Sequence, residues 1–277
     1  MRIIESKKIR QTVEEMLLEA CIKIPNEVLD SLFEAIKNEK SGLGQDILKK
    51  IIENDICAQK ENKPICQDTG IVVCYLEVGT DIYIKGNVYE AINEGVRNAT
   101  YKGYLRRSVC DDPIIRNNTN DNTPAVVYIK LIKGDKIKIT LAPKGAGSEN
   151  MSALKMLSPT DGEEKVVDFV LETIEKAGGK ACPPIFVGVG IGGTFEKSAM
   201  LAKEALLDID VNQTETEKHL SSRLLKEINQ LGIGPMGFGG TVTALKVNVK
   251  TYPCHIASMP VSVNIECHAS RHIKRAI

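Results

Sequence analysis

Apolar positions recur three and four apart through residues 1–60. Ile9, Val13, Met16, Leu17 and Ala20 line up at that spacing with Lys, Arg and Glu between them, which predicts an amphipathic helix. Pro25 opens a second helix, Asn26 to Lys37, striped by Val28, Leu32 and Ile36; proline suits a first turn, whose N–H has no partner to lose. Gln45 to Ala58 repeats the pattern. The period changes at Ile71. Ile71 to Val78 is rich in β-branched residues and predicts a strand. Ala125 to Ile132 and Lys136 to Leu141 predict two more, joined as a hairpin through Gly134-Asp135. Helices are predicted over Val88 to Tyr101 and over Glu163 to Ala177, the latter stopped by Gly178-Gly179. Ile185 to Gly190 predicts a buried strand, Thr194 to Leu206 and Glu215 to Leu231 helices, and Val242 to Tyr252 and Val261 to Ile265 strands. The expected fold class is mixed α and β (α+β or α/β), a helical N-terminal section followed by a mixed sheet with flanking helices. Neither a repeat nor a low-complexity linker divides the chain, so residues 1–277 read as a single domain.

Composition narrows the function. At 277 residues and 43% hydrophobic, the chain can bury a core without disulfide or metal staples. Lys and Arg number 36 and so do Asp and Glu, so no global field attracts nucleic acid or an anionic membrane. Aromatic residues are 4% with no Trp, which speaks against a base-stacking surface. The N-terminal run MRIIESKKIRQTVEEM mixes charge with apolar residues and lacks the core of a secretory leader. The longest nearly apolar stretch, Pro183 to Gly193, is too short and glycine-rich to span a bilayer. The expectation is a soluble cytoplasmic protein with no nucleic-acid or membrane partner.

The eight cysteines never fall in the C-x-x-C spacing of zinc ribbons, thioredoxin-type pairs or ferredoxins. Cys21, Cys57 and Cys74 read as small buried hydrophobes. Cys110 lies in a polar stretch. Cys66, Cys182 and Cys267 fall at element ends, where function concentrates. Cys254 meets the same criterion, and spacing does not choose three from these four.

The run Pro64-Ile65-Cys66-Gln67-Asp68-Thr69-Gly70 resembles the first ligand motif of the class I, iron–sulfur-dependent fumarases and their tartrate dehydratase relatives. The similarity continues in order. Leu105-Arg106 matches a substrate-arginine position, and Asn118-Thr119 with Asn122-Thr123-Pro124-Ala125 a polar loop entering a strand. Lys144-Gly145-Ala146-Gly147-Ser148-Glu149-Asn150 matches a glycine-rich loop and Ala181-Cys182-Pro183-Pro184 a second ligand motif. Gly232-Ile233-Gly234-Pro235 and Gly239-Gly240 follow, then His255 as a substrate histidine and Cys267-x-Ala269-x-Arg271 as the third ligand motif. The resemblance runs from about residue 40 to the end and is to the α subunit, the equivalent of the N-terminal half of single-chain enzymes. Asn120 and Ala146 stand where the family usually has Gly, and Ser270 where it has an acidic residue. Asparagine is the next most tolerant residue at positive φ, so the turn at Asn120 survives. Ser148-Glu149-Asn150 looks more like the fumarases than the tartrate dehydratases.

The resemblance implies a hydro-lyase: fumarate hydratase of the tricarboxylic acid cycle first, L-tartrate dehydratase or a related hydroxy-diacid dehydratase as the alternative. Because Cys254 is not a family ligand, Cys66, Cys182 and Cys267 are implied to hold a [4Fe–4S] cluster with one iron left open as a Lewis acid. Asp68 is implied in acid–base work. Gln67, Asp68, Arg106, Gly147 and His255 are implied substrate contacts; the arginine forks onto a carboxylate and the glycine lets backbone approach. Arg271 is expected to support the cluster loop or a carboxylate, Arg107 reads as a solvated or structural charge, and His268 and His272 read as surface residues. The family's second part supplies further cations and a catalytic hydroxyl. The expected partners are therefore a separate β subunit in an α2β2 assembly and a small dicarboxylate substrate.

Two other classes are weighed. Gly188-Val189-Gly190-Ile191-Gly192-Gly193 spells a dinucleotide fingerprint, which suits a non-catalytic NAD-binding or scaffold module. That fingerprint wants a later strand ending in an acidic residue, and Asp208 to Gln213 is too short and polar to supply it. The glycines are instead expected to let a helix pack closely behind the second ligand, its N-terminus directed at the anionic site. An electron-transfer cluster protein would want a fourth, closely spaced cysteine.

Overall fold

The computed structural model describes residues 2–209 and 213–277. In chain order the elements are β1 (Arg2–Glu5), α1 (Ser6–Ile22), α2 (Asn26–Asn38), α3 (Gly42–Glu61), β2 (Ile71–Gly79), β3 (Ile82–Lys85), α4 (Val88–Lys102), β4 (Val126–Ile132), β5 (Ile137–Lys144), α5 (Ala146–Glu149), β6 (Ala153–Leu157), α6 (Gly162–Ala177), β7 (Ile185–Gly192), α7 (Phe195–Leu206), α8 (Glu215–Gln230), β8 (Ala244–Tyr252), β9 (Met259–Glu266) and β10 (Ile273–Ala276). The fold is mixed α and β with a mainly helical N-terminal section, as its periodicity predicts. Of the segment Asp208 to Gln213, residues 210–212 lie outside the described residues. Among the described residues no helix is long and apolar enough to cross a membrane.

Contacts divide the chain into two compact units. The first comprises Met1–Pro25, Asn54–Ala146 and Arg271–Ile277; the second comprises Asn26–Glu53 and Gly147–Ser270.

The first unit is built on a sheet of order β10-β5-β2-β4, with β4 parallel to β2 and the other pairs antiparallel. Alternate residues of β2, Val72, Cys74, Leu76 and Val78, share one face. Register sets Leu141, Ile139 and Ile137 of β5 beside the last three of them. This face joins Ile9, Val13, Met16 and Leu17 of α1 and Ile92, Val96 and Ala99 of α4 in one buried core. Each such side chain contributes roughly 1.5–3 kcal/mol on full burial. Gly95 lets α4 close on α1, since a Cβ there would lie 2.6 Å from the Arg10 carbonyl oxygen.

The expected hairpin between β4 and β5 does not form. Both strands pair with β2, one on each side, and the link between them passes over the end of β2. Gly79, Thr80 and Asp81 donate their N–H groups to the carbonyls of Lys136, Ile132 and Gly134. A Cβ on Gly79 would sit 2.2 Å from the Gly134 oxygen, so the crossing needs glycine beneath it. The long strand already occupies the position a hairpin partner would take.

The second unit is an α/β/α sandwich on a sheet of order β6-β9-β7-β8. Odd residues of β7 and β9, Ile185, Val187, Val189, Val261, Val263 and Ile265, pack with α6 and α8 through Val166, Val170, Ile174, Leu220, Leu224 and Ile228. The opposite face meets α7. There Gly188 and Gly190 press against the helix backbone: a Cβ on either would lie 2.0 Å from the Ala202 oxygen and 2.1 Å from that of Ser198 respectively. Close packing accounts for the glycine run, as expected. The helix, however, starts beyond the far end of β7, away from Cys182, so its N-terminus is not directed at that thiol.

Candidate active site

In the first unit, the turn Cys66–Gly70 links α3 to β2. Its approach is fixed by Ile65 N–H donating to the Cys21 carbonyl at 2.9 Å and by the Asn54 amide donating to the Ile65 carbonyl at 3.1 Å. Asp68 N–H donates to Cys66 Sγ, 3.4 Å away. The Asp68 carboxylate accepts from Gly70 N–H at 3.0 Å and from Ala146 N–H at 2.8 Å. Gly70 has φ +75, and a Cβ there would meet the Lys144 oxygen at 2.6 Å, so only glycine fits. Thr69 Oγ1 donates to the Arg106 carbonyl at 2.7 Å, and the buried Asn122 amide donates to the same oxygen at 2.9 Å. The Arg106 backbone is thus pinned to the cysteine turn while its side chain is exposed. Gln67 is exposed on the same turn. Cys66, Gln67, Asp68 and Arg106 are therefore brought together. Asn120 has φ +64, the turn its residue type tolerates.

In the second unit, Cys182 sits at φ +54, in the left-handed region, after a single 3-10 turn. A non-glycine residue there costs of order 1 kcal/mol and such strain gathers at functional sites. Pro183 accepts from Met236 N–H at 2.7 Å, which ties this turn to the 232–240 glycine loop. Cys267 follows β9. His268 N–H approaches the Cys182 carbonyl at 3.4 Å, so the two cysteine turns adjoin. Glu266 Oε1 accepts from Cys267 N–H at 3.2 Å and from Ser148 Oγ at 3.3 Å, which joins the Gly147 loop to the same edge. At Gly147 a Cβ would meet nothing closer than the Lys180 oxygen at 3.7 Å; no packing inside the unit demands glycine there. Glu266, 3% exposed, was invisible to sequence reasoning, which had only a strand-end acid to go on.

His255 is placed elsewhere. The β7–β9 register pairs Phe186 with Glu266 and Ile191 with Val261. Cys182 and Cys267 therefore flank one end of the sheet and the 253–258 loop the other, roughly 20 Å away at about 3.3 Å per residue. Three further expectations are corrected. Cys57 is exposed, not buried. His272 is only 9% exposed, and His268 is half-buried, because the chain from Ala269 to His272 runs inside the fold rather than over it. Arg107, expected as a solvated or structural charge, is exposed and lies over the Tyr101 ring at 5.5 Å.

The donor chemistry fits iron–sulfur ligation. Cys66, Cys182 and Cys267 are partly exposed and at element ends. By contrast, burial pushes Cys21 up to about 11 and Cys74 up to about 12. Soft thiolates suit iron–sulfur clusters. Among the described residues no three His, Cys, Asp or Glu side chains stand together as metal ligands. Cys66 belongs to the first unit, and Cys182 and Cys267 to the second. Clefts of about 260 Å³ beside β6 and α6, and about 430 Å³ between α1 and α4, include none of the expected site residues.

Residues 10–276 match the family described as Fumarate hydratase (Fumerase). The chain belongs to this family. It is 45% identical over 279 residues, 97% of each chain, to a Methanocaldococcus jannaschii protein provisionally named L(+)-tartrate dehydratase subunit alpha. It is 30% identical over 269 residues to the L(+)-tartrate dehydratase subunit alpha of Escherichia coli (strain K12), covering 95% of this chain and 89% of that one. Family and relatives together place the chain among the hydro-lyases.

Proposed function

We propose that the chain is the α subunit of a [4Fe–4S]-dependent hydro-lyase that interconverts an unsaturated dicarboxylate and its hydroxy-diacid, with fumarate and (S)-malate the first pair. The observation that carries this is the Cys66–Gly70 turn: five residues present a thiol, fix the Asp68 carboxylate on Gly70 and Ala146, and pin the Arg106 loop. Cys66, Cys182 and Cys267 would hold the cluster. When bound, the cluster supplies a Lewis-acidic iron that no side chain ligates.

The chain's own residues do the rest. The Arg106 guanidinium forks onto one carboxylate. Gln67 donates its amide, and Gly147 offers backbone N–H where no Cβ intervenes. Asp68 Oδ2 holds or releases the proton beside the carboxylate. His255 lies too far from Cys182 and Cys267 to reach a ligand held by them in its own chain. Its place in the substrate set therefore requires a second copy, which suits an α2β2 assembly. The relatives' names carry the α designation, which supports a separate β subunit supplying the remaining cations. A cytoplasmic setting suits this chemistry, since thiols stay reduced there.

A second reading has its own support: the relatives are named for L(+)-tartrate, which favours tartrate dehydration. Anaerobic reconstitution with the partner, followed by assays on fumarate, malate and L-tartrate, separates the two. Full activity from this chain alone would refute the division between subunits. A fully loaded pair inert on all three diacids would refute the hydro-lyase itself.

A further inference from the structure

Glu266 closes β9 as a buried carboxylate, a residue type depleted in strands. Taking a carboxylate out of water is costly unless hydrogen bonds compensate. Its Oε1 accepts from Cys267 N–H at 3.2 Å, from Cys267 Sγ at 3.7 Å and from Ser148 Oγ at 3.3 Å. One oxygen therefore faces the backbone and thiol of an expected cluster ligand, and the residue that follows Gly147.

The remainder of that loop is fastened to β9 by other bonds. The buried Asn264 amide donates to Glu149 Oε2 at 2.9 Å and to Ser152 Oγ at 2.9 Å, and Ile265 N–H donates to Ser152 Oγ at 3.1 Å. Lys203 of α7 pairs with Glu149. Residues 149–152 thus stay docked on the strand without Glu266, while the Ser148 bond acts on the Gly147 end. All of these residues belong to the second unit.

We propose that Glu266 is a positioning residue with two tasks. It fixes the Cys267 turn that ligates the cluster, and through Ser148 it sets the Gly147 backbone that receives the substrate. This rests on the hydro-lyase reading. Partners of metal ligands orient them and govern how firmly the metal is held, and a small misplacement of a binding group is costly to catalysis.

The test compares Glu266→Ala, Glu266→Gln and Ser148→Ala with wild type, each reconstituted anaerobically. Iron release to a ferrous chelator is expected to be at least about tenfold faster in Glu266→Ala. It should stay close to wild type in Glu266→Gln, whose amide oxygen still accepts, and in Ser148→Ala, which keeps the Cys267 contact. With the partner subunit present, Ser148→Ala should raise KM for fumarate or L-tartrate about fivefold, in line with one lost hydrogen bond, with kcat changed less. Cluster-free Glu266→Ala should melt within about 5 °C of wild type. Iron held by Glu266→Ala as long as by wild type overturns the proposal, as does unchanged KM in Ser148→Ala. Fast release shared by Glu266→Gln overturns it by assigning the effect to charge, and a larger fall in the cluster-free melt by assigning Glu266 to the fold. Failure of the hydro-lyase reading shows in the wild type, as a chain that loads no cluster or a loaded pair inert on both diacids; failure of this proposal shows in the variants alone.

Discussion

Asp55 carries a carboxyl that its surroundings disfavour as an anion. It is 4% exposed, and its Oδ2 has no hydrogen-bond partner. Burial pushes its pKa up to about 6, against about 3.9 in an unfolded chain. A folded pKa above the unfolded one means the protonated group fits the fold better. The penalty is absent below about pH 4, grows between pH 4 and 6 and is complete above that. Asp55→Asn is expected to be more stable than wild type at pH 7 by about 2 kcal/mol, and equal to it near pH 3.5. Denaturant titration at both pH values checks this, and a variant less stable at pH 7 contradicts it. The same helix shows what the sequence carried. Leu48, Ile51, Ile52, Asp55 and Ala58 are the buried stripe of α3. Cys57 falls off that stripe, so residue type alone misplaced it where helical phase would not. Brief alkylation should accordingly label Cys57 and Cys254 well before Cys21 and Cys74, as read by mass spectrometry; the reverse order would break the burial account.

Between elements, Glu39 works as a clamp. It follows the last residue of α2, is 2% exposed, and accepts backbone N–H from Ser41 at 2.8 Å, Thr241 at 2.9 Å and Val242 at 2.8 Å. Burial alone would raise its pKa, but these bonds outweigh it and hold the carboxyl below the usual range. A depressed folded pKa gives stability that is present above the unfolded value, about 4.3, and lost as pH falls through the folded one. Glu39→Gln should cost about 2 kcal/mol at pH 7 and less in acid; equal stability at pH 7 would contradict the clamp. Gly188→Ala should cost about 1–3 kcal/mol, because strand and helix must part to admit a Cβ. A thermal melt of that variant matching wild type would mean the packing is looser than described. Long elements with a sustained period were legible: α1, α2, α4, α6 and α8 fall where apolar spacing predicts. β1, β3, β6 and β10 were not, because four or five residues are too few to establish an alternation. The β4–β5 link misled for another reason. Gly-Asp between two strand patterns signals a turn but not which strand lies between them.

At the scale of the molecule, each unit is assembled from segments far apart in sequence, and local pattern gives no sign of that interleaving. The ordered motifs were informative where composition was not. They named the Cys66 turn and the Arg106 loop before the Thr69 and Asn122 bonds showed why those travel together. They named Cys182 and Cys267, whose turns adjoin. They gave no sign that His255 lies at the other end of its sheet, because distance along a strand is not a motif. The most direct test of the account is iron and sulfide analysis with electron paramagnetic resonance on the anaerobically reconstituted chain and its single Cys→Ser variants. The account predicts about four iron atoms per chain, lost in Cys66→Ser, Cys182→Ser and Cys267→Ser, kept in Cys110→Ser and Cys254→Ser, with a spectrum altered by malate or tartrate. Iron retained in Cys66→Ser as fully as in Cys254→Ser, or a spectrum indifferent to every diacid, would contradict it.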